Sequence, residues 1–179
     1  SLGHRWLANL SGVPLGRIRS GQLLTDDRTL LEAAREELDR LPLLTVESEC
    51  KTAEAVRAIA ERQAFTRRPA LIVVDYLQLL SAPGEKDRVQ EISHVSRVLK
   101  ATSRALGIPM LALSQLSRAC GDSERPHLAH LRDSGALEQD ADIVVMLWSE
   151  DKPGILHAAV EKNRNGPTGA CRLHFTPSV

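Results

Sequence analysis

With 179 residues, 42% of them hydrophobic and 3% aromatic, the chain is long enough to bury one sizeable core and short for two, which predicts a single domain over 1–179. Its 23 basic and 23 acidic residues balance, so no global field holds nucleic acid by counterion release, and any such contact must be local or shared among several copies. No apolar run approaches the roughly 20 residues of a bilayer span, SLGHRWLANL lacks a signal-peptide pattern, and Cys50, Cys120 and Cys171 fit neither a disulfide framework nor a close-spaced zinc site; a reducing, cytoplasmic setting without membrane contact is the expectation.

Apolar spacing in LANLSG predicts a first helix near residues 4–11, and PLGRIRSGQL a short one opened by Pro14 and stopped near Gly21. A longer helix follows. Thr25 is its expected N-cap, Asp26 and Asp27 suit the positive helix end, and Leu30, Leu31, Ala34, Leu38 and Leu41 mark one face before Pro42. LLTVE, residues 43–47, reads as a strand. A second amphipathic helix runs from about Thr52 through Val56, Ile59 and Ala60 to Arg67 and Arg68, and leads into the strand ALIVVD. Residues 86–106 place Val89, Ile92, Val95, Leu99, Thr102 and Leu106 on one face, with Gly107 as the C-terminal stop and IPMLALSQ as the next strand. ADIVVMLW reads as a buried strand, and ILHAAVEKNRNGPTGACRLHF as a closing hairpin around Asn165 and Gly166; residues 82–87 and 121–125 read as exposed loops. Apolar strands alternating with helices point to an α/β layered domain, its sheet largely parallel and covered on both faces, with an antiparallel C-terminal hairpin.

In such sheets ligands gather at the carboxyl ends of the strands, where Asp75 follows ALIVV and Gln115 follows MLALS. An ordinary right-handed crossover makes those two ends neighbours. A carboxylate so placed can hold Mg²⁺ through water beside nucleotide phosphates, and Gln115 can orient a water or sense a phosphate; taken alone, Asp75 can equally cap the next turn. His127 and His130 stand three apart near Cys120 but lack a fourth ligand, and His94 and His157 read as packing or surface residues.

DYLQLL, QEISHVSRVLK, ALSQLSRA, LRDSGALEQDADIVVML and EKNRNGPTG follow one another in order, and with RWLANLSGVPLGRIRSGQL they resemble the C-terminal motor domain of DnaB-type replicative helicases, from about residue 2 to Phe175. The resemblance implies a RecA-like three-layer fold and an ATP hydrolase that uses ATP and Mg²⁺. It makes Asp75 the Walker B aspartate on the metal side and Gln115 the link between phosphate state and DNA-facing loops. Lys162 and Arg164 match the pair that reaches into a neighbouring subunit's ATP site, with Arg164 as the arginine finger. Left to the residues alone, Arg164 is an exposed charge at a hairpin tip. Arg5 is similar to a family arginine near the nucleotide base, and Arg132, Asp133 and Gly135 match positions whose backbone amides meet the phosphates of single-stranded DNA. Asp133 replaces the more usual Glu, and His130 stands where an acidic residue is common. Implied partners are single-stranded DNA, a homohexameric ring, a helicase loader and primase.

GxxxxGK[ST] occurs nowhere in the sequence, nor does the family's SLE glutamate, which the register of RWLANLSG would place a few residues before Ser1. The expectation is therefore a motor-domain fragment that alone neither turns over ATP nor forms a firm hexamer. The alternative is a truncated, hydrolysis-deficient RecA-fold module that binds or modulates a ring. Lys162, Arg164 and Gln115, which such a module has little need to keep, weigh against it. The RNGPTG hairpin and LRDSGALEQDAD favour the helicase branch over the recombinase and clock-ATPase branches of the same fold.

Overall fold

The computed structural model describes residues 2–46, 51–117, 120, 125–149 and 154–176, residues 132–134 by backbone alone. Glu47, Cys50 and residues 121–124 lie outside the described residues. The chain divides into two compact units, Ser1–Thr45 with His174–Val179, and Val46–Leu173.

The first unit holds three helices, α1 (Leu2–Ser11), α2 (Leu15–Ser20) and α3 (Asp27–Arg40). Pro14 sits at the start of α2 with φ −54°, and Gly21 ends it with φ 72°, a left-handed position that glycine takes without steric cost. Asp26, not Thr25, occupies the N-cap of α3, and its side chain makes no capping bond. The reason lies one residue further on. The buried Asp27 carboxylate reaches back to accept the Leu24 amide at 2.9 Å and takes the Arg17 guanidinium at 3.0 Å, so the chain entering α3 is already tied down and α2 is joined to α3. Of the expected α3 stripe only Ala34 is buried, with Ala8 of α1 and Val13 completing the small core. Three short helices have too little surface between them to bury a five-residue apolar face.

Residues 43–46 form no strand, contrary to the reading of LLTVE, and Leu43 and Leu44 stand exposed. Their backbone finds no ladder partner among the described residues, and β-propensity without a neighbouring strand does not make one.

In the second unit, Thr52 caps α4 (Ala53–Thr66) by accepting the Ala55 amide at 3.2 Å. Strand β1 (Ile72–Val74) follows, then a 3₁₀ turn (Leu77–Leu79), α5 (Arg88–Leu106) and β2 (Met110–Ala112). Asp87 caps α5 through the Gln90 amide at 2.8 Å, and Gly107 stops it with φ 60°. β1 and β2 pair in parallel, Ile72 against Met110 and Val74 against Ala112. Ala53, Val56, Val74, Leu77, Leu80, Val95 and Leu99 form one core cluster, which packs α4 and α5 against the strand. His94 of α5 adds a surface tie, its Nε2 2.7 Å from Glu54 and its Nδ1 3.2 Å from Glu85.

A second 3₁₀ segment (Leu128–Ser134) runs into α6 (Gly135–Asp140) and then a three-stranded sheet in the order β3 (Ile143–Trp148), β4 (Ile155–Asn163), β5 (Gly169–His174), with β3 antiparallel to β4. β3 is not buried throughout. Val144 and Met146 pack on Leu131, whereas Ile143, Val145 and Leu147 point to the exposed face, the period-two pattern of a strand covered on one side. Among the described residues no helix is long and apolar enough to cross a membrane.

Replacing Asp27 by Ala is expected to lower the unfolding free energy by about 1–3 kcal/mol, because it leaves the Leu24 N–H and the Arg17 guanidinium without their acceptor. Thr25→Ala is expected to cost under about 0.5 kcal/mol. Urea unfolding of the two variants checks both, and equal losses would return the cap to Thr25.

Candidate functional site

β1 ends at Val74 and β2 at Ala112, so the parallel register sets the next residues of each strand beside one another. The backbone stitches them further: the Leu113 amide donates to Val74 O and the Leu77 amide to Leu113 O, each at 2.9 Å. Asp75, Tyr76, Leu113, Ser114 and Gln115 line one open depression at these strand ends. Asp75 and Gln115 are thus brought together as the crossover required. The Asp75 carboxylate is exposed and, among the described residues, has neither hydrogen bond nor ion pair, so both oxygens are available to a solvated cation.

Gln78 carries no motif signal of its own in the sequence. Its Nε2 donates to Ser114 Oγ at 2.9 Å and to Gln115 O at 3.3 Å, and its Oε1 accepts the Gln115 amide at 3.2 Å. Nothing in DYLQLL announces which way that side chain turns.

Lys162 lies near the end of β4, and Arg164 just follows the strand. The ammonium of Lys162 donates to Glu138 O and Gln139 O, and Arg164 Nη2 to Gln139 O, carbonyls in the last turn of α6 where the helix dipole is negative. Arg164 Nη1 also lies 3.5 Å from Asp142, whose carboxylate takes Lys100 at 2.5 Å. The Lys100 bond, and after it the charges of Lys100, Arg164 and Arg104, hold the Asp142 carboxyl below its ordinary range. The turn beyond is shaped by Asn163, which accepts the Asn165 amide and donates to Pro167 O; a Cβ at Gly166 would meet Asn163 Nδ2 at 2.7 Å. Among the described residues no hydrogen bond or ion pair joins Lys162 or Arg164 to Asp75 or Gln115.

Arg132 and Asp133 lie in the backbone of the second 3₁₀ segment, and Gly135 opens α6, exposed and with open space where a Cβ would stand. The segment is anchored on both flanks. Upstream, Arg125 donates to Glu161 of β4 at 2.7 Å and sits 5.8 Å from the Trp148 ring, and the Ser117 amide bonds His130 O. Downstream, Lys162 and Arg164 hold α6. The Arg125 hydrogen bond is the main cause that keeps the Glu161 carboxyl below its usual range, with His127 adding to it. His127 and His130 stack on each other, and His130 Nδ1 accepts the His127 amide at 2.9 Å. Arg5 stands exposed on α1 in the first unit.

A family model described as the DnaB-like helicase C-terminal domain matches residues 1–179. The replicative DNA helicase DnaB of Buchnera aphidicola subsp. Acyrthosiphon pisum is 38% identical over 183 residues, which cover 96% of this chain and 40% of that protein. Its counterpart in Geobacillus stearothermophilus is 34% identical over 182 residues, again 96% of this chain and 40% of that protein. Among solved structures, a DnaB-like replicative helicase described with its interactions with primase superposes with a TM-score of 0.89, at 28% identity over 98% of this chain and 46% of that one. The chain spans about two fifths of the length of the curated relatives it matches.

The low-lying Asp142 carboxyl gives a pH test. Its bond to Lys100 contributes fully above the ordinary carboxylate range and is lost as pH falls through the depressed folded-state value. Asp142→Asn is expected to lower the thermal midpoint by about 1–2 °C near neutral pH, a small effect because the pair is screened by solvent. That difference is expected to shrink below about pH 4. Thermal scans from pH 7 down to the acid limit check it, and a difference unaltered by pH would count against the ion pair.

Proposed function

Because the chain belongs to the DnaB-like helicase C-terminal domain family, we propose that it serves as the ATPase motor of a ring-forming replicative DNA helicase, its two compact units acting together as one motor domain over 1–179. The observation that carries the reading is the meeting of an exposed carboxylate, Asp75, and the Gln115 segment at the ends of adjacent parallel strands.

In this reading Asp75, whose oxygens are exposed, would hold Mg²⁺, which when bound would supply positive charge against the phosphates of ATP. Gln115 faces the same depression and orients a water or registers the terminal phosphate. Arg5 serves the base of the nucleotide. Lys162 and Arg164 act in trans, meeting the ATP held by the next subunit of a homohexamer, where a guanidinium stabilises the charge that builds on the transferring phosphoryl group. Arg132, Asp133 and Gly135 present backbone amides to single-stranded DNA. Repeating that segment around a ring lets a chain without net charge grip the strand. Primase and a helicase loader are the further partners.

In the full-length helicase carrying this chain, Asp75→Asn and Arg164→Ala are each expected to cut single-stranded-DNA-stimulated ATP hydrolysis by at least about a hundredfold. Steady-state turnover checks this, and unchanged stimulation in both variants would sink the assignment. The purified 179-residue chain, whose sequence contains no GxxxxGK[ST] loop, is expected to show no ATP turnover; robust hydrolysis by it would refute that part of the proposal.

A further inference from the structure

The ladder between β1 and β2 stops at Val74 and Ala112, and residues 113–117 run on without strand neighbours among the described residues. The Leu113 amide still reaches Val74 O, and Leu113 O still receives the Leu77 amide. Two residues later, the polar backbone groups of Gln115 are both met by a single side chain. The Gln115 amide donates to Gln78 Oε1 at 3.2 Å, and Gln78 Nε2 donates to Gln115 O at 3.3 Å while also lying 2.9 Å from Ser114 Oγ. A primary amide offers a donor and an acceptor side by side, as a peptide does, so Gln78 supplies the rung that the backbone no longer provides.

Gln78 is itself fixed. Leu77 and Leu80 on either side are buried in the core cluster at 2% and 5% exposure, and the carbonyl of Gln78 accepts Arg88 Nη2 from the first turn of α5. Arg88 is held in turn by Leu80 O and Glu91. Gln78 does not line the depression, whereas Gln115 does. We propose that Gln78 is the positioning residue for Gln115: its amide pair sets the Gln115 main chain and thereby the aim of the Gln115 side chain into the nucleotide depression. This rests on the reading of Gln115 as the group that senses phosphate.

Two variants separate positioning from plain support of the fold. Gln78→Leu removes both bonds, and Gln78→Glu keeps the size and the acceptor but replaces the donor with a carboxylate facing a carbonyl. In the 179-residue chain, Gln78→Leu is expected to speed hydrogen exchange at the Gln115 amide by about tenfold or more, with the Leu113 amide unaffected. In the full-length helicase both variants are expected to lower DNA-stimulated kcat by about tenfold, with KM for ATP changed less than about twofold. Gln115→Ala serves as the reference. If Gln115→Ala abolishes stimulation and neither Gln78 variant alters it, the positioning role is overturned while the reading of Gln115 stands. If Gln115→Ala also leaves stimulation intact, that reading falls and the proposal with it. Unchanged exchange at the Gln115 amide in Gln78→Leu would overturn the proposal on structural grounds alone.

Discussion

A parallel strand pair cannot be closed by a tight turn, and this requirement organises the candidate site. Between β1 and β2 the chain must travel back the length of the sheet, and α5, 19 residues capped at Asp87 and stopped at Gly107, makes that return. Val95 and Leu99 on its buried face lock it to Val74, Leu77 and Leu80. Once the register of Ile72 on Met110 is set, the segments just beyond the two strands run side by side, and Asp75, Ser114 and Gln115 come to line one depression. The same core holds the turn that carries Gln78, so the packing that makes the sheet also aims the amide that stitches its end.

A second organising feature is the end of β4. Over a short stretch of chain, Glu161, Lys162 and Arg164 reach the upstream flank of the 125–140 segment through Arg125 and its downstream flank through the carbonyls of Glu138 and Gln139. Charges at the end of a short helix are well placed, since the unsatisfied carbonyls of its last turn attract cations. Ser117, two residues past Gln115, bonds the carbonyl of His130 within the same segment. The chain that follows Gln115 is therefore tied directly to the chain that leads into Gly135, a physical basis for communication between the proposed nucleotide depression and the proposed DNA-facing loop.

Local rules sufficed where one residue decides one outcome. Gly21 and Gly107 end helices because glycine takes positive φ cheaply, a helix begins at Thr52, and a carboxylate after ALIVV marks a strand end. Those rules failed where a distant partner overrode them. Thr25 lost the cap of α3 to the reach of Asp27 and Arg17; LLTVE had strand-forming residues without a strand to pair with; the apolar run of β3 concealed a strand buried on one face only.

The sequence by itself determined the α/β layering, the positions of α4 and α5, the two strand ends that carry Asp75 and Gln115, and the family to which the motifs belong, because each depends on residue type at short spacing. Only the tertiary structure decided that Gln78 faces the Gln115 backbone, that Arg125 finds Glu161, and that Lys162 and Arg164 rest on α6. Those pairs lie 23 to 37 residues apart in the chain. Their meeting follows from how whole elements pack, and spacing along the chain carries no record of it.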